Sequence, residues 1–172
     1  MRFFFFKLIF FFLFLGISNA NENIRFININ QIVNNSEAGI TLNNMIEKRN
    51  NEIKSEFKNL AKKLEDQKKK ILSQKNILKK EEFDKLVKNY DNEVKEFNDS
   101  RKKKKDDFNN FKVRSKKQIL DLLNPIIIDF LRKESIQILL QKEKIIFGND
   151  NLDITKEVLE IFNNKHKKIK FE

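Results

Sequence analysis

The chain has 172 residues, of which 36 are Lys or Arg and 25 are Asp or Glu, giving a formal net charge of +11. It has no cysteine and a single histidine, which excludes disulfides, thiolate chemistry and a histidine cluster for a metal. No Gly-rich phosphate loop or catalytic triad can be assembled either. We therefore expect no enzyme and no cofactor, and the 35% of charged residues is typical of long solvated helices.

The first twenty residues have the pattern of a signal peptide. Arg2 and Lys7 flank an apolar stretch of Phe and Leu, and the small residues Ser18 and Ala20 stand before a cleavage site. The apolar stretch is about ten to twelve residues long, whereas a bilayer span needs about 20. We predict export and cleavage after Ala20; the alternative is an uncleaved N-terminal anchor.

The mature chain opens with a predicted strand. Residues 24–29 mix alternation with a short apolar run, which indicates a strand buried on at least one face. Asn34, Asn35 and Ser36 break this pattern, and Gly39 marks the joint with the next element.

Two helical seams follow. Apolar residues recur from Ile40 to about Leu78 with a mean spacing of about 3.5, and again from Phe83 to Leu122. Such a narrow apolar stripe needs a partner helix. The stretch 76–82 between the seams therefore predicts the tip of an antiparallel hairpin whose arms are about 55–60 Å long.

The end of the chain changes character at Pro125, which predicts a kink or a restart of the helix. Residues 126–131 are apolar nearly all round and are expected to be buried. Residues 136–140 and 145–147 each indicate a strand, and a polar turn joins them. A last helix, capped by Asp153 or Thr155, precedes a polar, frayed tail from Lys165 that holds the solvated His166.

These elements predict an α+β fold, mostly α, in which strand 24–29 joins the hairpin 136–147. Residues 21–40 and 121–172 would form a small body, and residues 41–120 a coiled-coil prong. A body of about 70 residues is small for one chain, so we expect association between chains through it. The candidate association residues are Ile24, Phe26, Ile138, Leu140 and Ile146.

Three stretches of the mature chain resemble the Skp/OmpH family of outer-membrane-protein chaperones. They are the opening strand with Asn30-Gln31-Ile32, the run Leu122-Leu123-Asn124-Pro125, and Leu152-Asp153-Ile154-Thr155-Lys156-Glu157-Val158 near the end. Phe97 followed by Arg101-Lys102 resembles a basic stretch of the family's second arm helix. The high Lys and Asn content and the short, Gly-free tip depart from the family pattern.

The resemblance implies a periplasmic homotrimer whose three prongs enclose an unfolded client, without ATP and without catalytic residues. The hypothesis is thus a holdase for unfolded outer-membrane proteins, and the alternative is a coiled-coil scaffold of the envelope. A nucleic-acid-binding protein would fit the net charge, but the leader argues against it.

The candidate contact for a client or for an anionic membrane surface is a basic cluster. Its residues are Arg101, Lys102, Lys103, Lys104 and Lys105. The alternative is that these residues form an ordinary solvated helix face, with their charge balanced by Asp99, Asp106 and Asp107. Because Arg101 and Lys104 occupy seam positions, we also predict local loosening of the prong there.

Overall fold

The computed structural model describes residues 23–171, and most of them are helical. The elements in chain order are β1 (Ile24–Ile27), α1 (Ile29–Asn35), α2 (Glu37–Ser73), α3 (Lys80–Lys133), β2 (Ile138–Gln141) and α4 (Thr155–Lys165), with short 3-10 turns at Lys142–Lys144 and Asp150–Leu152. The predicted signal peptide and its cleavage site lie outside the described residues.

The strands β1 and β2 form a two-stranded parallel sheet. Ile24 pairs with Ile138, and Phe26 pairs with Leu140. Parallel strands need a crossover connection, and here the whole pair of long helices serves as that connection. The expected pairing of the first strand with the region near Ile138 is confirmed.

The predicted third strand at 145–147 is wrong. The chain leaves β2 through the 3-10 turn Lys142–Lys144, and within residues 23–171 the sheet has two strands only. Ile146 is fully exposed and Phe147 is 92% exposed. β-branched and aromatic residues favour a strand only where a neighbouring backbone is present to pair with, and none reaches this segment.

The first strand is also shorter than predicted, because a helix begins where the strand was expected to continue. The side chain of Asn28 accepts a hydrogen bond from the backbone N–H of Gln31 at 2.8 Å, and α1 starts at the next residue. Asn is among the preferred N-cap residues, so this polar side chain ends the strand at Ile27.

Ser36 and Gly39 form the joint between α1 and α2. The fully buried Ser36 caps α2, and its Oγ accepts a hydrogen bond from the backbone N–H of Gly39 at 3.0 Å. A Cβ on Gly39 would lie 1.8 Å from the carbonyl oxygen of Val33. Only glycine lets the two helices approach this closely, so the predicted joint has a steric cause.

Helices α2 and α3 confirm the predicted antiparallel hairpin. Helix α2 spans residues 37–73, so it starts three residues and ends five residues earlier than the predicted range of 40–78. Residues 74–79 connect it to α3 and overlap the predicted tip at 76–82. At about 1.5 Å per residue, the 37 residues of α2 are about 55 Å long. We call this pair of helices the hairpin.

Of the kink or restart expected at Pro125, the restart does not occur, because α3 runs through this residue from Lys80 to Lys133; the kink stays a prediction. Pro125 and Asp121, four residues earlier, are both exposed, so water can hydrate the carbonyl that loses its helical hydrogen bond. The following turn is buried on one side only: Ile126 is 3% exposed, whereas Ile128 is 47% exposed.

A Schellman motif ends α3 and directs the chain into β2. Ser135 has a φ of 51°, and its N–H donates to the carbonyl of Arg132 while the N–H of Ile136 donates to that of Leu131. This reversal brings Gln137 beside the start of β1, where its N–H donates to the carbonyl of Asn23 at 2.9 Å.

The buried core of the body is helical for the most part and lies where α1, α3, α4 and the first turns of α2 meet. Its most buried members are Ile27, Ile32, Ala38, Phe111, Ile119, Leu123, Val158 and Phe162. Phe111 and Ile119 belong to this core although they precede residue 121, the predicted boundary between prong and body. The exact division into body and prong stays a prediction.

Asp153 ties the start of α4 to the two strands. Its carboxylate accepts hydrogen bonds from Lys142 at 2.6 Å and from the backbone N–H of Thr155 at 2.9 Å, and the Thr155 hydroxyl also donates to it. Thr155 Oγ1 accepts in turn from the N–H of Asn28, and Ile154 N–H donates to the carbonyl of Phe26. Neither Asp153 nor Thr155 occupies the N-cap position of α4, which falls on Ile154.

The pKa of Asp153 reflects two opposing effects. Burial raises it, but the hydrogen bonds from Lys142 and Thr155 together outweigh burial and hold the pKa below its usual value. The hydrogen bond between Lys142 and Asp153 also raises the pKa of Lys142 above its usual value.

The C-terminal tail is docked rather than frayed, which corrects the expectation for it. Phe171 is 6% exposed and belongs to the core, and the carbonyl of Lys170 accepts a hydrogen bond from Gln118 at 3.2 Å. His166 is half-buried, with its ring centroid 5.3 Å from that of Phe162. Burying one Phe contributes about 1.5–3 kcal/mol, enough to anchor a polar tail.

Substituting Gly39→Ala should destabilise the protein by about 1–3 kcal/mol, because the new methyl group forces α1 away from α2. Thermal unfolding followed by circular dichroism measures the loss. The control is Asn44→Ala, an exposed change one helical turn further along α2. A Gly39→Ala variant as stable as this control would contradict the steric account.

Substituting Asp153→Asn should destabilise the protein by about 1–2 kcal/mol at neutral pH, because the charge-assisted bond to Lys142 is lost. The folded-state pKa of Asp153 is lowered, so its stabilisation is present above the unfolded-state pKa and disappears as the pH falls through the folded value. Thermal unfolding at several pH values should therefore show wild type and variant converging below about pH 4. A constant difference down to low pH would refute this role, and Asp129→Asn on exposed helix is the control.

Candidate functional site

Aromatic residues mark the middle of the hairpin, where the apolar seam is thin. Phe57 of α2 packs edge-on against Phe97 of α3, with ring centroids 5.7 Å apart. Nearer the body, the guanidinium of Arg49 lies 3.8 Å from the centroid of the Phe111 ring. These contacts hold the helices together in the middle of the hairpin, because most other seam residues are only half-buried there and the next buried one, Ile71, lies near the tip.

The structure does not bring the basic cluster 101–105 together as one surface. The ammonium of Lys104 turns into the hairpin, forms an ion pair with Glu56 and lies 5.9 Å from the Phe57 ring. Arg101 and Lys105 lie together at the edge of a groove. Lys102 and Lys103 are exposed and do not line it.

We call this depression between α2 and α3 the basic groove. It has a volume of about 410 Å³ and is lined by Ile53, Lys54, Phe57, Lys58, Ala61, Phe97, Arg101 and Lys105. The lining contains four apolar side chains and four cations, and no carboxylate. An apolar surface between two rows of positive charge can bind a ligand that is itself apolar and acidic.

Two neighbouring grooves of the hairpin differ in charge. One combines Arg49 and Lys104 with acidic residues, and its lining is Arg49, Glu52, Ile53, Glu56, Lys104, Asp107 and Phe108. The other, nearer the tip, has one cation and two Glu among Leu60, Lys63, Leu64, Gln67, Glu93, Glu96, Phe97 and Ser100. The excess of positive charge in the basic groove is therefore local.

The two basic residues predicted at seam positions differ in their surroundings: Lys104 has an acidic partner, whereas Arg101 lies outside the seam. The ammonium of Lys104 is neutralised by Glu56, so a half-buried Lys is tolerated there. Arg101 is exposed at the rim of the basic groove. The expected loosening of residues 98–107 stays a prediction.

The candidate association residues lie around the small sheet. Phe26 is buried and Ile24 is half-buried, whereas Ile138 and Leu140 are each 44% exposed. Ile146 extends from the loop after β2 and is fully exposed. The sheet therefore presents apolar side chains that the rest of residues 23–171 leaves uncovered.

Sequence reasoning missed the half of the basic groove that α2 supplies. Lys54 and Lys58 are one helical turn apart, as are Arg101 and Lys105. These two pairs of cations were a usable signal, but only the hairpin register shows that they flank the same groove.

Within residues 23–171, no helix is apolar enough over a sufficient length to cross a membrane. The same residues contain no group of His, Cys, Asp or Glu side chains arranged to hold a metal ion.

Comparison with known proteins identifies the family. The model of the family OmpH, described as outer membrane protein (OmpH-like), matches residues 23–162. The chain belongs to the OmpH-like family. Its fold is that of a Caulobacter crescentus protein whose crystal structure is described as that of a candidate outer membrane chaperone (OmpH-like).

That OmpH-like structure superposes with a TM-score of 0.82 at 14% sequence identity, covering 89% of this chain and 90% of the other. At this identity the likeness shows the fold. No curated protein matches the chain. The family model's match ends at residue 162, before the docked tail.

Substituting Phe57→Ala should loosen the hairpin without unfolding the body, because Phe57 holds α2 on α3 while the core lies around Leu123. Hydrogen–deuterium exchange should become at least about tenfold faster at residues 50–105, with little change around Leu123. Ile77→Ala at the exposed tip is the control. Equal acceleration in the body would show that hairpin and body unfold as one unit.

Proposed function

We propose that this OmpH-like protein is an ATP-independent periplasmic chaperone, a holdase that binds unfolded outer-membrane proteins and prevents their aggregation. The observation that carries the proposal is the basic groove on a long hairpin, in a chain of this family. The fold of the Caulobacter crescentus protein, described as a candidate outer membrane chaperone, supports it. Binding and release of a client need no catalytic group.

The surface of the hairpin suits such clients. Strands of outer-membrane barrels alternate apolar and polar residues, so an unfolded barrel offers apolar side chains at regular intervals. Without Arg2 and Lys7, the mature chain has 34 basic and 25 acidic residues and a net charge of +9. This charge attracts acidic clients at long range, and salt screens the attraction over about 8 Å. Contacts of this kind are individually weak, which allows release without an energy source.

A homotrimer assembled through the body belongs to the same proposal. Ile138, Leu140, Ile146 and Phe147 are large apolar side chains that lie on or next to the sheet and are exposed in the single chain. Neighbouring copies that cover these side chains would stabilise the assembly by about 25 cal/mol for each Å² of apolar surface buried. Three hairpins standing on one body would then surround a client. Export, with cleavage after Ala20, would place the assembly in the periplasm.

Sedimentation velocity tests the proposal directly. Mature protein, residues 21–172, is run alone and then with a urea-unfolded barrel protein diluted into it. We expect a trimer alone, and a soluble complex that contains the barrel protein. A lysozyme that has been unfolded and diluted in the same way serves as a basic client that the positive charge should disfavour. A monomer that leaves the barrel protein to aggregate would refute the chaperone function and favour a scaffold.

A further inference from the structure

The basic groove concentrates like charge that no acidic side chain of residues 23–171 neutralises. Lys54 and Lys58 are four residues apart on α2, and Arg101 and Lys105 are four residues apart on α3. Like charges at this spacing on a helix repel each other and destabilise it. The ion pairs of the described residues use other cations, namely Lys69, Lys104, Lys117, Lys133 and Lys142. An anionic ligand would relieve the repulsion in the groove.

The floor of the groove is apolar and partly open. Phe57 is 9% exposed and packs on the half-buried Phe97. Ala61 follows one helical turn after Phe57, and its small side chain leaves the space that a larger residue would fill. The floor can therefore take an apolar or aromatic side chain of a ligand, with favourable edge-to-face geometry against the two rings.

The spacing of the cations matches that of an extended chain. Residues four apart on a helix are separated by about 6 Å along its axis. Two side chains on the same face of an extended peptide are two residues, or about 6.6 Å, apart. When the residue between two carboxylates faces the floor, the carboxylates point out of the groove, because alternate side chains of an extended chain lie on opposite faces. The long, exposed Lys and Arg side chains can reach them there, with two cations of one helix for two carboxylates.

We propose that the basic groove binds an extended polypeptide segment that alternates acidic and apolar or aromatic side chains. The apolar side chain packs on Phe57 and Phe97, and the carboxylates meet Lys54, Lys58, Arg101 and Lys105. Arg101 can bind a carboxylate in a bidentate manner. This inference rests on the proposed function and adds to it a preferred client sequence and a defined contact site. Anionic lipid shares the negative charge, but it does not supply a carboxylate on each side of one aromatic group.

The test uses a fluorescein-labelled peptide that alternates Phe and Asp, and mature full-length protein. Fluorescence anisotropy measures its Kd for wild type, for the groove variant Arg101→Glu with Lys105→Glu, and for the control Lys102→Glu with Lys103→Glu. Both variants change four units of charge on the same turns of α3, and only the first pair lines the groove. We expect Kd to rise at least about tenfold in the groove variant and less than about twofold in the control.

Two further measurements guard against trivial explanations. Circular dichroism shows whether each variant keeps its helical content, and Lys54→Gln with Lys58→Gln tests the opposite wall with a milder change. That second variant should also weaken binding of the peptide. A peptide that alternates Phe and Asn should bind wild type more weakly than the acidic peptide does, and added salt should reduce the difference.

Several outcomes would overturn the proposal. An equal loss in the groove and control variants would show that only net charge matters. Loss of binding to phosphatidylglycerol vesicles in the groove variant, with peptide binding unchanged, would assign the groove to lipid. If wild type keeps a diluted barrel protein soluble but does not bind the peptide, the groove proposal fails and the chaperone function stands. Peptide binding by a protein that does not prevent aggregation would instead refute the chaperone function alone.

Discussion

The pairing of β1 with β2 is the constraint on which the rest of the structure depends. It joins residues more than a hundred positions apart, and it thereby fixes both ends of the hairpin in one place. The loop-closure entropy of such a connection must be offset by local contacts. The bonds of Asp153 to Lys142 and Thr155, and of Ile154 to the strand, supply contacts at this junction.

Once the strand pairing holds the two ends of the hairpin together, the hairpin can be long and thin. Its two helices share one narrow seam, so each position away from the body has only the opposite helix to cover it. Aromatic pairing of Phe57 with Phe97 and the ion pair of Lys104 with Glu56 meet this need halfway along. The same thinness leaves side chains beside the seam accessible, and a groove can form there without weakening a core.

The basic groove links stability to binding. Lys54 and Lys58, and Arg101 and Lys105, are like charges four residues apart on their helices. The proposed acidic ligand would remove their repulsion, so part of its affinity would come from relief of an unfavourable free state. Weak, salt-sensitive contacts of this kind would suit the proposed chaperone, which must release what it binds. The exposed apolar residues around Ile146 belong to a different surface, and its proposed occupants are further copies of this chain.

Local patterning was sufficient where one chain segment determines its own structure. The spacing of the two seams predicted the hairpin and its tip, because an apolar stripe at helical period needs only a partner stripe. Gly39 was recognisable as a joint, since glycine inside a helical pattern has few other uses. The run from Ile24 and the run near Ile138 were recognisable as strands that meet.

Features that depend on distant partners could be decided only by the tertiary structure. Residues 145–147 have the composition of a strand, but no backbone within residues 23–171 lies beside them to pair with. Phe171 belongs to a polar tail and is nevertheless buried in the core. The sequence by itself determined the helical hairpin and the excess of positive charge. Tertiary structure decided which cations share a groove, because Lys54 and Arg101 are neighbours only through the register of α2 on α3.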